Sequence, residues 1–148
     1  MPSISARLDG NRIIVPAGLV PISTQRQGDL ESDPAPFTVF PMRALLDTGA
    51  SRTCITNSVV QRCGLQEFTK IRIRNVRQEN FHSAFVFSIG FYADALSGGI
   101  APFVGIDLEI IGAELGDQTG FEMLVGMDVM SRCDLDLRRN GTFTFTLP

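Results

Sequence analysis

The 148-residue chain contains no tryptophan, one histidine, one lysine and three cysteines. A single histidine leaves no convincing Ser-His-Asp or Cys-His arrangement for nucleophilic catalysis. The cysteines lack the paired spacing of a zinc site, so we expect no metal. An odd number of cysteines also excludes a framework of disulfides and favours a reducing compartment. We therefore expect a cytoplasmic protein whose thiols are buried.

Long apolar runs and an excess of positive charge are absent as well. No run of about 18 apolar residues could form a transmembrane helix, and the N-terminus lacks the basic-then-apolar pattern of a secretory signal. The formal net charge of −3 predicts no general attraction to nucleic acid or to an anionic membrane. Hydrophobic residues make up 44% of the chain and charged residues 20%, which excludes intrinsic disorder.

Turn residues and alternating patterns dominate what is present. The 14 glycines and 8 prolines interrupt the chain at short intervals, which is typical of many short strands joined by turns. Polar and apolar residues alternate over residues 3–8, 70–74 and 142–147, as expected of half-buried strands. The length fits one domain. These features favour β structure.

Residues 1–36 contain several sequence patterns that are typical of turns and loops. Asp9-Gly10-Asn11 predicts a β-hairpin between residues 3–8 and 12–15. Pro16 and Pro21 argue against a central strand between them, because proline donates no ladder hydrogen bond. Residues 24–36 are polar, acidic and proline-bearing, which predicts an exposed loop. We therefore divide the chain into an N-terminal hairpin and acidic loop extension (1–36) and a domain (37–148). The extension is an inhibitory segment, a dimer element or a decoration.

One or two short helices are predicted. Thr56 or Asn57 is a suitable N-cap for a helix over residues 58–63, and Gly64 is a suitable stop. Residues 128–132 have the length of one or two further helical turns. Asp128 is interpreted as a structural cap of that segment.

The segment most informative about chemistry is Ala44-Leu45-Leu46-Asp47-Thr48-Gly49-Ala50-Ser51. An apolar strand ends in an acid, which delivers the Asp47 carboxylate to a rigid, water-poor place. Gly49 allows a sharp turn that brings backbone N–H groups near the carboxylate. An ordinary strand-to-turn connection is the alternative reading of a bare Asp-Thr-Gly. The apolar residues before it and Ala-Ser after it favour a functional acid.

This segment resembles the signature of the retropepsin family, the single-domain aspartic proteases of retroviruses and their cellular and bacterial relatives. A second family element is two apolar residues, a glycine and a short helix. Leu124-Val125-Gly126, followed by residues 127–130, matches it. The resemblance extends over about residues 37–147. It implies an all-β, single-domain closed barrel with one or two short helices.

The resemblance also implies an activity. The chain has one Asp-Thr-Gly, so the family implies a homodimer in which Asp47 of each subunit meets on the two-fold axis. The two carboxylates share one proton and activate a water that hydrolyses a peptide bond, with no cofactor. The substrate is an extended peptide or protein segment. The residues that support the catalytic loop are then Thr48, Gly49, Ala50, Ser51 and Gly126.

Viral members of the family cover the active-site cleft with a glycine-rich hairpin called the flap. The corresponding segment of this chain is where its sequence departs most from the family. The candidate tip lacks glycine and comprises Asn75, Val76, Arg77, Gln78, Glu79, Asn80 and Phe81. This departure keeps a second hypothesis open, a catalytically silent retropepsin-like module that dimerises or binds peptides. Lys70, Arg72 and Arg74 alternate along the preceding strand and are interpreted as a solvated face, with a preference for acidic substrates as the alternative. In viral relatives the terminal strands build the dimer sheet, so an intermolecular role for either terminus is also considered.

Overall fold

The computed structural model describes residues 1–22, 38–74 and 79–148. These residues form eleven strands, two α-helices and a 3-10 turn at Leu96–Gly98. The strands are β1 (Ser3–Arg7), β2 (Ile14–Pro21), β3 (Phe40–Leu46), β4 (Cys54–Thr56), β5 (Thr69–Arg74), β6 (Glu79–Tyr92), β7 (Phe103–Gly105), β8 (Ile110–Leu115), β9 (Met123–Val125), β10 (Asp134–Leu137) and β11 (Thr142–Thr146). The helices are α1 (Asn57–Cys63) and α2 (Met127–Met130).

Six strands close into a barrel. Their order is β2-β3-β9-β4-β8-β6, and β6 returns to pair with β2. The pairs β3–β9 and β4–β8 are parallel, whereas the other pairs are antiparallel. Alternate side chains of each strand point inward and are almost completely buried, among them Leu19, Ile55, Phe87 and Met123. The predicted all-β closed barrel with one or two short helices is therefore confirmed: the described residues contain two.

The strand between the two prolines lies in the barrel wall, contrary to the sequence prediction. β2 pairs with β3 over residues 14–19 and with β6 over residues 17–21. Pro16 thus has a partner strand on the β3 side alone, and Pro21 has one on the β6 side alone. Each proline occupies a place with one neighbouring strand, where its missing N–H interrupts no second ladder. The central part of β2 carries no proline.

The predicted N-terminal hairpin is wrong in its pairing. Asp9 and Arg12 do exchange backbone hydrogen bonds around Gly10, which has a φ of 63°. The strands on either side then diverge, because β1 pairs with β11 while β2 joins the barrel. The sequence prediction assigned residues 14–21 to the N-terminal extension, but they form one strand of the barrel. The predicted acidic loop at 24–36 lies outside the described residues.

The first and last strands form a second sheet in the order β1-β11-β10. Phe143 and Phe145 of its middle strand are buried, and Phe145 contacts Phe91 of β6 edge to face, with ring centroids 5.2 Å apart. The outer edge of β1 is bonded to Asp94. The Ser5 N–H donates to Asp94 Oδ2 (2.8 Å), and the Asp94 N–H donates to the Ser3 carbonyl (2.8 Å).

Both helices were predicted, and each flanks a segment of the site. α1 follows Thr56 and ends at Cys63, where Gly64 adopts a left-handed conformation with a φ of 63°. Asp117 supports its first turn by accepting from the Ser58 N–H (3.1 Å). α2 follows directly after Gly126. No helix among the described residues is both long and apolar enough to cross a membrane.

Candidate active site

Asp47 follows the last residue of β3. Its N–H donates to the Val125 carbonyl (3.0 Å), which continues the parallel pairing of β3 with β9 by one residue. Leu46 points into the barrel core and is 5% exposed. The alternation of a strand therefore turns the Asp47 side chain to the other face, where it is half-buried. The Asp47 carboxylate is thus positioned by a buried strand and remains partly accessible to solvent.

The residues after Asp47 wrap around it. The Gly49 N–H donates to Asp47 Oδ1 (2.8 Å), and the Ala50 N–H donates to the Asp47 carbonyl (3.2 Å). Thr48 and Gly49 are exposed, as is Ser51. The position of the Gly49 N–H agrees with the turn that its sequence predicts. We refer to residues 47–53 as the Asp47 loop.

The second sequence element packs directly against the Asp47 loop. The N–H groups of Met127 and Asp128 donate to the carbonyls of Ala50 (2.8 Å) and Ser51 (3.2 Å). Gly126 lies so close to the loop that a Cβ at this position would be 2.7 Å from the carbonyl carbon of Arg52. Only glycine allows this approach, so Gly126 supports the loop by close packing.

Thr53 and Asp128 also join the Asp47 loop to α2. The sequence analysis did not identify Thr53 as a site residue. The Thr53 N–H donates to Asp128 Oδ2 (2.9 Å), and its hydroxyl donates to Asp128 Oδ1 (2.8 Å). The Thr53 hydroxyl also accepts from the Gly126 N–H (3.2 Å). Asp128 Oδ1 accepts further from the Val129 N–H (3.0 Å) in the first turn of α2. Asp128 is therefore structural, as interpreted, but it joins the helix to the loop. In the sequence, the position of Asp128 two residues after Gly126 was the only indication of this contact.

An aspartyl protease family model matches residues 38–129, which is more than half of the chain and includes both Asp47 and Gly126. The chain belongs to the aspartyl protease family. Among solved structures, it is similar in fold to a retropepsin-like aspartic protease from Rickettsia conorii, with a TM-score of 0.57 and 17% sequence identity. That match includes 98% of this chain and 90% of the Rickettsia chain. No curated protein matches the chain.

In this member of the aspartyl protease family, the face that carries Asp47 can be traced across five strands. Directly opposed residues of paired strands share a face of the sheet. Leu45, two residues before Asp47, opposes Leu124, which opposes Cys54 on β4. The same row continues to β8 and β6 through Ala113 and Ala84. The Asp47 face of the sheet is therefore largely apolar.

The row ends at the hairpin of β5 and β6. Ala84 opposes Thr69, so Ile71 and Ile73 lie on the Asp47 face. Three cations alternate with them and lie on the opposite face: Lys70, Arg72 and Arg74. Arg72 forms an ion pair with Glu79 there. The interpretation of these cations as a solvated strand face agrees with this placement, since all three are exposed.

The candidate flap lies at the end of this hairpin. β5 and β6 are paired up to Arg74 and Glu79. Of the predicted flap residues, Asn75, Val76, Arg77 and Gln78 lie outside the described residues. Glu79, Asn80 and Phe81 open β6, where Asn80 shares the face of Asp47 and Phe81 is exposed on the other. The assignment of the flap stays a prediction.

The cysteines are protonated thiols at neutral pH. Burial is the main cause that raises the pKa of Cys54 to about 11, and the nearby Asp128 carboxylate adds to it. Burial likewise raises the pKa of Cys63, and it raises that of Cys133 to about 11. A protonated thiol is a poor nucleophile, so Cys54 is not a rival to Asp47. Within the described ranges, no group of three or more metal-binding side chains is placed to hold an ion.

A separate apolar cavity of about 620 Å³ lies away from the Asp47 loop. Its lining includes Val20, Ser88, Ile89, Phe103 and Ile106. Phe103 packs over Gly18 and Gly90, where any side chain would collide with its ring. No residue of the Asp47 loop lines this cavity, so it is not part of the candidate active site.

Proposed function

We propose that the protein is a homodimeric aspartic endopeptidase that hydrolyses peptide bonds in extended polypeptide segments. The observation that carries the proposal is the accessible Asp47 carboxylate, held by the Gly49 N–H at the end of a buried strand. Membership of the aspartyl protease family supports the reaction. The sequence contains one Asp-Thr-Gly, so a second carboxylate has to come from a second copy.

The reaction uses one Asp47 from each subunit. Two carboxylates a few ångströms apart cannot both ionise readily, so the pair holds one proton. The ionised Asp47 acts as a general base on a water molecule between them. The protonated Asp47 donates a hydrogen bond to the scissile carbonyl and transfers its proton as the tetrahedral intermediate forms. The intermediate then collapses with protonation of the leaving amine.

The sheet formed by β1, β11 and β10 has few free strand edges that could pair with a second subunit. Both edges of β11 are occupied by strands of the same chain, and the outer edge of β1 is bonded to Asp94. A two-fold pairing of β10 with its own copy would bring together the carboxylates of Asp134 and Asp136, which is unfavourable. These observations argue against the intermolecular role considered for the termini. We place the subunit contact at the exposed part of the Asp47 loop, at Thr48 and Gly49.

The chemistry of the Asp47 face indicates the kind of peptide bound. Ile71, Ile73 and Leu124 present apolar surface on this face, and none of them is fully buried. Covering such surface with apolar side chains of a peptide is favourable at roughly 25 cal/mol per Å². We therefore expect apolar residues next to the scissile bond.

A peptide-library digest between about pH 3 and pH 8 tests the proposal. It compares the wild-type protein with Asp47→Asn and with Asp107→Asn, which changes an exposed aspartate outside the Asp47 loop. Loss of a general acid–base group predicts a decrease in kcat/KM of at least roughly 10²–10⁴-fold in Asp47→Asn alone. Full activity of that variant would refute the proposed site. Peptide binding without cleavage by the wild type would instead favour the silent module.

A further inference from the structure

Arg52 is an exposed cation at the end of the Asp47 loop. Its Nη1 donates to the Ile111 carbonyl (3.1 Å) on the neighbouring strand β8. In the part of the chain that the structure describes, Arg52 forms no ion pair, unlike Arg62 or Arg72. The guanidinium group therefore keeps further N–H donors and its full charge for another partner.

The guanidinium group of Arg52 contacts β8, one of the strands that form the Asp47 face. Arg52 stands two residues before Cys54, the first residue of β4, which belongs to the same row as Leu45. Ile111 likewise stands two residues before Ala113 in the same row. The electrostatics agree with this placement. Burial dominates the raised pKa of Cys54, Asp47 raises that pKa further, and Arg52 lowers it, so both charges act on the same thiol.

The backbone that carries Arg52 is held firmly. Its N, C and O atoms are 2.7–2.8 Å from where a Cβ of Gly126 would lie. The next residue, Thr53, is completely buried and bonded twice to Asp128. Because this backbone is fixed by its neighbours, the position of the Arg52 charge is also well defined. A charge at a defined position favours selective binding of one substrate position over non-specific electrostatic attraction.

We propose that Arg52 determines substrate specificity by binding an aspartate or glutamate side chain of the peptide within three residues of the scissile bond. This inference rests on the proposed peptidase function. A carboxylate matches the planar fork of a guanidinium group and completes its hydrogen bonds. Leu124 and Ile111 on the Asp47 face are apolar, so the acidic side chain accompanies apolar residues at the scissile bond itself.

Paired peptides test the proposal. Each pair carries glutamate or glutamine at one position within three residues of the cleaved bond, and kcat/KM is measured for both. An exposed charge pair predicts a preference for glutamate of about 2- to 5-fold at one position, weaker at high salt. Arg52→Gln removes the preference, and Arg52→Glu reverses it in favour of glutamine, because two carboxylates repel each other. A reversal would not follow from a purely structural role.

Arg132→Gln is the matched control. Arg132 is also exposed, and its Nη1 also donates to a single backbone carbonyl, that of Asp107 (3.3 Å). It lies outside the Asp47 loop, so this variant keeps the wild-type ratio of glutamate to glutamine. Thermal unfolding of each variant verifies that it is folded. Equal rates for both peptides at every position in the wild type would overturn the proposal.

A binding measurement separates this inference from the peptidase function. Fluorescence anisotropy with the same labelled peptides is carried out on Asp47→Asn, with and without Arg52→Gln. Tighter binding of the glutamate peptide that depends on Arg52 supports the proposal even if the wild type cleaves nothing, in which case only the peptidase function fails. Equal binding of the two peptides, or binding of neither, overturns the role of Arg52.

Discussion

Thr53 and Asp128 are joined by two hydrogen bonds, one from the Thr53 backbone and one from its hydroxyl, although they are 75 residues apart. Through the same hydroxyl, the Gly126 N–H is bonded as well. The Asp47 loop and α2 are therefore one structural unit. The loop that holds the carboxylate is therefore bonded to a second, distant segment of the chain.

Replacing Thr53 by valine keeps the shape of the side chain and removes the hydroxyl. The Gly126 N–H then loses its acceptor and Asp128 Oδ1 loses a donor in a buried place. We expect a decrease of about 1–3 kcal/mol in the free energy of unfolding. Denaturant titration measures it, and Thr53→Ser, which keeps the hydroxyl, serves as control. Equal stability of the valine and serine variants would contradict the role of this hydroxyl.

Replacing Gly126 by alanine places a methyl group against the backbone of Arg52, 2.7 Å from its carbonyl carbon. Because backbone atoms cannot rotate away, the Asp47 loop has to shift. We expect a destabilisation of about 1–3 kcal/mol and a loss of peptidase activity. Gly116→Ala is the control, since a Cβ there meets no atom within 4 Å. Unfolding and cleavage measured on both variants test this, and similar results for the two would refute it.

The active species is expected to be a dimer with one shared site. Specific activity falls on dilution below the dimer dissociation constant, in step with sedimentation. A peptide analogue with a tetrahedral hydroxyl in place of the scissile carbonyl binds more tightly than a substrate. Calorimetric titration should saturate at one analogue per two chains, and the analogue should strengthen dimerisation. Saturation at one per chain, with unchanged association, would exclude a site on the two-fold axis.

Cys54 should react slowly with alkylating reagents in the folded protein. Its pKa is raised from 9.0 to about 11, so the thiolate fraction at neutral pH is lower by about a hundredfold. The alkylation rate should rise about tenfold per pH unit until about pH 11. Mass spectrometry after timed iodoacetamide treatment measures it, with the denatured chain as control. Rapid labelling of folded Cys54 at pH 7 would contradict the burial of this thiol.

The sequence alone determined the features that depend on neighbouring residues. The Asp47 loop follows from an apolar strand that ends in Asp-Thr-Gly. The ends of α1 follow from the residues around Thr56 and Gly64, whose conformations are local. The alternation in residues 142–147 determined a strand with one buried face. Each of these rests on the conformational preferences and periodicity of a short segment.

Only the tertiary structure decided which distant segments meet. β1 and β2 flank a correctly predicted turn, yet they enter different sheets because their apolar faces are buried against different strands. Pro16 is compatible with the barrel wall only because β6 begins to pair one residue later. Arg72 lies on the face opposite to Asp47 because of the register of β5 against β6. Register and barrel closure depend on contacts between residues far apart in the chain, which no local pattern encodes.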